Sequence, residues 1–102
     1  MEFLNKIKIR GIVGKASVAR VGEKSVCRFS VVVDYCCKMN GMPVIETTWF
    51  NVVAHEGDFS KIAKGAVAEV EGRLRKFSVT LADGTTHNSD EIVAKRVKVL
   101  DS

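Results

Sequence analysis

Apolar and polar residues alternate with a period of two along most of this chain. In "KIKIR" the isoleucines Ile7 and Ile9 fall on one side, and Lys6, Lys8 and Arg10 on the other. Such a pattern lays a clean apolar face on a β-strand, whereas a helix would scatter it around the axis. The stretches "VCRFSVVVDY", "VIETTWFNVVAH", "AVAEVEGRLRKFSVTL" and "EIVAKRVKVL" read as further strands, rich in β-branched and aromatic residues. The two glycines of "GIVGK" mark a bend or bulge before a loop. Asn40-Gly41 and Asp83-Gly84 mark hairpin tips.

One segment breaks the pattern. In "EGDFSKIAKG", Asp58 suits a helix N-cap and Gly65 the residue just past a helix end. Phe59, Ile62 and Ala63 then share one helical face, which predicts a short helix of about two turns. The expected order is three strands, the helix, and two strands, with long hairpin arms. That is the order of a five-stranded Greek-key OB-fold barrel, an all-β architecture with one short helix. Closure removes exposed edges, and the helix plugs one open end. With 102 residues, 46% of them hydrophobic, residues 1–102 form a single domain with a single core.

Several function classes lose support. No run of about 18 apolar residues offers a membrane helix. The N-terminus "MEFLNKIKIR" lacks the apolar block of a signal peptide, so a cytoplasmic location is expected. Three cysteines, Cys27, Cys36 and Cys37, are an odd number without zinc-site spacing, so neither a disulfide framework nor a metal is expected. His55, Glu56 and Asp58 lie close together, but no second carboxylate pair accompanies them, and catalysis is not expected. No cofactor is implied.

Trp49 and Phe50 are neighbours in a strand and must face opposite ways. Phe50, Val52 and Ala54 suit the interior, which leaves Trp49, Asn51 and Val53 outside. On the later strand Val70, Gly72 and Leu74 face in, and Glu71, Arg73, Arg75 and Phe77 face out. The first strand adds Lys6, Lys8 and Arg10 to a polar face. Aromatic rings interleaved with cations suit a nucleic-acid single strand: bases stack on the rings, and phosphates meet Lys and Arg. A net charge of +4 permits such a partner. Other readings stay open at this point. An outer Trp also suits an oligomer interface, Phe77 also suits a cap over the core, and Arg73 and Arg75 also suit ion pairs with Glu69 and Glu71.

The segments "NKIKIRGIVGK", "FSVVVD", "ETTWFNVVA", "AEVEGRLR" and "EIVAKRVKVL", in this order, resemble the bacterial single-stranded DNA-binding protein (SSB) family across nearly the whole chain. The resemblance implies sequence-nonspecific binding of single-stranded DNA in replication, recombination or repair, in the bacterial cytoplasm at the nucleoid. It implies aromatic platforms at Trp49, Tyr35, His55 and Phe77, although the Gly72–Phe77 spacing is shorter than the family's. It also implies self-assembly, as a homotetramer or a dimer. Family members usually carry a flexible linker and an acidic, Phe-ended tip that recruits other proteins. "VKVLDS" shows no such tip, so tail-mediated recruitment is not expected. The alternative is a tail-less OB-fold adaptor of a primosome or mobile-element replication system, binding protein more than DNA.

Overall fold

Tight turns join the first three strands into a meander. The computed structural model describes residues 2–55, 57 and 59–100. Strands β1 (Ile7–Val21) and β2 (Lys24–Met39) are joined at Gly22-Glu23, and β2 meets β3 (Met42–Ala54) at Asn40-Gly41. Asn40 and Gly41 both take positive φ, 53° and 78°, as a two-residue turn between twisted strands requires. After a connecting segment, β4 (Val67–Thr80) and β5 (Thr86–Leu100) form a second hairpin. Its tip is tied by Asp83, whose carboxylate accepts from the Thr85 backbone N–H at 3.0 Å and from its hydroxyl at 2.6 Å.

The strands close into a barrel in the order β1-β2-β3-β5-β4. Closure rests on β1, which pairs with β4 from Ile7 to Ile12 and with β2 from Ile12 to Val21. The other seam is short and parallel, with Val52 beside Ile92 and Val53 beside Val93. Strands packed this tightly leave no room for side chains at two points. A Cβ on Gly11 would lie 2.1 Å from the Val32 carbonyl oxygen, and one on Gly72 would lie 2.1 Å from that of Val93.

The interior is filled by the inward alternates, among them Val13, Phe29, Val31, Val52, Val70 and Ile92. Cys27 is fully buried among them, and burial pushes its thiol pKa up, so it is a packing residue. Leu74 shares the face of its partner Ile92, but it lies at the barrel rim and remains 36% exposed.

Two expectations need correction. The glycines of "GIVGK" do not lead into a loop. They sit within continuous β1, and Gly14-Lys15 form a bulge opposite Ser30. The Ser30 hydroxyl accepts the Lys15 N–H at 3.1 Å, satisfying the extra residue. The expected helix is also not formed among the described residues. Its proposed cap Asp58, and Glu56, lie outside them. Residues 59–66 make successive three-residue turns, with the Ile62 N–H on the Phe59 carbonyl (3.1 Å) and the Ala66 N–H on that of Ala63 (3.0 Å). Tethers to β1 hold the segment in this form. The Gly65 N–H donates to the Val13 carbonyl, and the Val13 N–H to the Ala66 carbonyl, both at 2.8 Å. The plug survives without the helix: Ile62 is buried in the core, Phe59 packs against it, and Ala63 faces solvent.

Substituting Gly72→Ala should lower stability by about 1–3 kcal/mol, because the new methyl meets backbone that cannot rotate away. A urea denaturation midpoint unchanged from wild type would show that the β4–β5 bulge absorbs it.

Candidate nucleic-acid interface

The uninterrupted register of β2 against β3 builds the centre of the outer face. Val32 lies opposite Trp49 and Ser30 opposite Asn51; further along, Arg28 lies opposite Val53, which was expected outside with Trp49 and Asn51 but is buried at 1% exposure. Trp49 is 61% exposed, while Phe50 turns inward and packs on the core. The Trp49 indole is not loose. It lies along the β1 bulge, where a Cβ on Gly14 would come within 2.7 Å of its Cζ3. The absent side chain at Gly14 thus leaves room for the six-membered edge of the ring, while most of the side chain stays open to solvent.

The same surface continues across the parallel seam. Glu91 falls beside Asn51, Arg75 lies opposite Glu91, and Phe77 lies opposite Ser89. The Arg75 guanidinium carbon sits 4.5 Å from the Phe77 ring centre, a cation–π contact. Its Nη1 is 3.5 Å from Glu91 Oε1. Between the two hairpins runs a cleft of about 320 Å³, bounded by Lys15, Arg28, Ser30, Asn51, Phe77, Asp90 and Glu91. Lys15 and Arg28 have no carboxylate partner among the described residues. Arg28, Lys15, Ser30 and Glu91 were not among the residues singled out from sequence. Counting back from the Asn40-Gly41 turn, which sets Met39 opposite Met42, would have placed Arg28 and Ser30 beside the Trp49 strand.

Other candidates lie elsewhere. Tyr35 is 65% exposed, but it pairs with Glu46 on the opposite face of the β2–β3 ribbon from Trp49. His55 is exposed just past the end of β3. Arg73 lies opposite Val93 and lines a separate hollow with Asn5, Lys6 and Lys95.

Lys6, Lys8 and Arg10 face β4. Glu69 receives both Arg10 Nε (3.0 Å) and Nη2 (2.7 Å), with Lys8 at 3.4 Å. Glu71 sits between Lys6 at 3.5 Å and Arg96 at 3.6 Å. These carboxylates, and not Glu91, were the partners weighed for Arg73 and Arg75. The Arg10 hydrogen bond holds the Glu69 carboxyl below its usual range, and the charge of Lys6 does the same for Glu71. Lys6, Lys8 and Arg10 are therefore engaged within the sheet, whereas Lys15 and Arg28, without an ion pair among the described residues, border the cleft beside the Trp49 strand.

A closed five-stranded barrel in this strand order, with an aromatic and cations exposed on one outer face, defines an OB-fold nucleic-acid-binding protein. The profile of the Single-strand binding protein family matches residues 4–100. The chain belongs to that family, whose members bind and do not catalyse, and it is not an enzyme. A search of curated proteins returns no significant match. Among solved structures the fold is similar to that of a Plasmodium falciparum SSB complex with ssDNA. The TM-score is 0.88 at 20% identity, covering 99% of this chain and 98% of that one. Among the described residues no helix is long and apolar enough to cross a membrane.

Gly14→Ala should push the indole off the sheet without unfolding the barrel. Trp49 emission should shift to the red and become more accessible to iodide, and unchanged spectra would show that the bulge does not position the ring. The Glu69 and Glu71 pairings should show in acid. A lowered carboxyl pKa stabilises fully above the unfolded value of about 4.3 and is lost as pH falls through the lower folded value. The Glu69→Gln, Glu71→Gln double variant should therefore have a flatter acid limb in stability against pH. Because the cations are mostly exposed, it should differ little from wild type at neutral pH.

Proposed function

We infer that this chain binds single-stranded DNA, protecting unpaired strands during replication, recombination or repair, and that it does so without requiring a particular sequence. The observation that carries the reading is the Trp49 ring, seated beside Gly14 and 61% exposed, next to a cleft lined by Arg28 and Lys15. A base stacks on the indole because every base has a π-face, and no donor–acceptor code is needed. Arg28 and Lys15 take phosphates and release their counterions. Asn51 offers hydrogen bonds beside the stack. Arg75 on Phe77 extends the platform toward the β4–β5 arm, and His55 offers a further ring past the end of β3, while Tyr35, on the other face of the β2–β3 arm, is a separate stacking candidate. Lys6, Lys8 and Arg10 would first have to leave Glu69 and Glu71, so their main role is in the sheet.

Family membership and the likeness to a protein solved with single-stranded DNA support this reading. Family members assemble, and we assign this chain a homo-oligomeric state, with a homotetramer as the expected form. A cytoplasmic, nucleoid-associated location follows from the DNA partner. Nothing in the fold or the comparisons favours the adaptor alternative.

The test is a titration of oligo-dT and duplex DNA followed by Trp49 fluorescence at two salt concentrations. The single strand should quench the emission and the duplex should not. Trp49→Ala should cost about 1–3 kcal/mol of affinity with the fold intact. Arg28→Ala should reduce the log–log salt slope by about 0.7, whereas Lys8→Ala should leave it unchanged. Equal affinity for duplex and single strand would refute the reading.

A further inference from the structure

A carboxylate sits where phosphates are expected. Glu91 is 8% exposed and lines the cleft between the two hairpins, on a face that has to attract a polyanion. Its one ion pair, to Arg75, is 3.5 Å long, beyond the roughly 2.7–2.9 Å of a charge-assisted hydrogen bond. Arg75 is in any case held on the Phe77 ring. An ionised carboxylate has about four acceptor positions and no donor, and this one makes no hydrogen bond among the described residues. A buried acid left in this condition costs affinity for phosphate and has acceptors to spare.

We propose that Glu91 reads one base of the bound strand, and that the base is guanine. The proposal rests on the single-strand-binding reading above. Guanine's Watson–Crick edge presents two adjacent donors, N1–H and the N2 amino group, which match the two oxygens of a carboxylate. Adenine and cytosine each set an acceptor nitrogen beside their one amino group, which repels the acid, and thymine has a single N–H between two carbonyls. The remaining guanine acceptor, O6, needs a donor, and the Asn51 amide, the Arg28 guanidinium and the Ser30 hydroxyl line the same cleft. Phe77 supplies an apolar wall. The volume, about 320 Å³, lies at the lower end of small-molecule sites. Binding elsewhere on the face stays indifferent to sequence, and this one pocket adds a preference.

The test compares oligo-dT with dT oligonucleotides carrying isolated dG, deoxyinosine or dA residues, read by Trp49 quenching. The dG oligonucleotide should bind roughly tenfold tighter than all-dT, the scale of one bidentate base contact. Deoxyinosine lacks the N2 amino group and should lose much of that gain, and dA should show none. Glu91→Gln should abolish the dG preference, and because it removes a negative charge from the face it should tighten oligo-dT binding rather than weaken it. Equal wild-type affinity for the dG and dT oligonucleotides overturns the proposal, as does a dG preference that survives Glu91→Gln. A variant that weakens dT and dG alike makes Glu91 only a support for Arg75 and overturns it too. The comparison of dG with deoxyinosine needs no mutation, so it decides even if the variant unfolds. If no single strand binds at all, the failure lies with the reading underneath.

Discussion

The structure depends on one strand serving two neighbours. β1 hydrogen-bonds β4 along its first half and β2 along its second, changing over at Ile12. This shared pairing joins the meander to the second hairpin on one side, and the two-residue parallel seam completes the ring. The changeover needs close backbone approach, which is why Gly11 stands directly before it. The same strand then bulges at Gly14-Lys15, and the bulge seats Trp49. It also tethers the plug segment through Val13. Closure, the orientation of the candidate stacking ring and the sealing of the barrel end are thus three consequences of one strand's path.

Charge is partitioned by the same geometry. Where β1 lies along β4, its cations meet Glu69 and Glu71 across the strand pair, each carboxylate shared between two cations. Where β1 lies along β2, no carboxylate ladder faces it, and Lys15 and Arg28 border the cleft unmatched among the described residues. Asp90 and Glu91 line the same cleft, Glu91 enclosed at the seam between Asn51 and Arg75.

Much of this was legible in the chain before folding. Period-two alternation determined that the protein is built of strands, and it separated Trp49 from Phe50 and Lys8 from Ile9. Asn40-Gly41 and Asp83-Gly84 determined both long hairpins, because positive φ is needed at such tips. The segment after His55 misled, because Phe59, Ile62 and Ala63 carry helical spacing. Spacing reports local preference only, and the hydrogen bonds from Val13 outweighed it over so short a stretch.

By itself, then, the sequence determined most of the strands, the Asn40-Gly41 and Asp83-Gly84 hairpin tips, the apolar side of much of each strand and the family resemblance, since these follow from neighbours along the chain. It missed the Gly22-Glu23 turn and the burial of Val53. Only the tertiary structure decided which cations are free. Lys8 and Arg28 look alike in sequence, each an exposed base in an alternating strand. One finds Glu69 across the β1–β4 pair, and the other lies opposite Val53 at the edge of the cleft. Likewise Tyr35 and Trp49 look like equivalent exposed aromatics, yet the register puts them on opposite faces of one ribbon. The physical reason is that electrostatic pairing and stacking surfaces depend on distances between strands far apart in sequence, and those distances exist only once the barrel has closed.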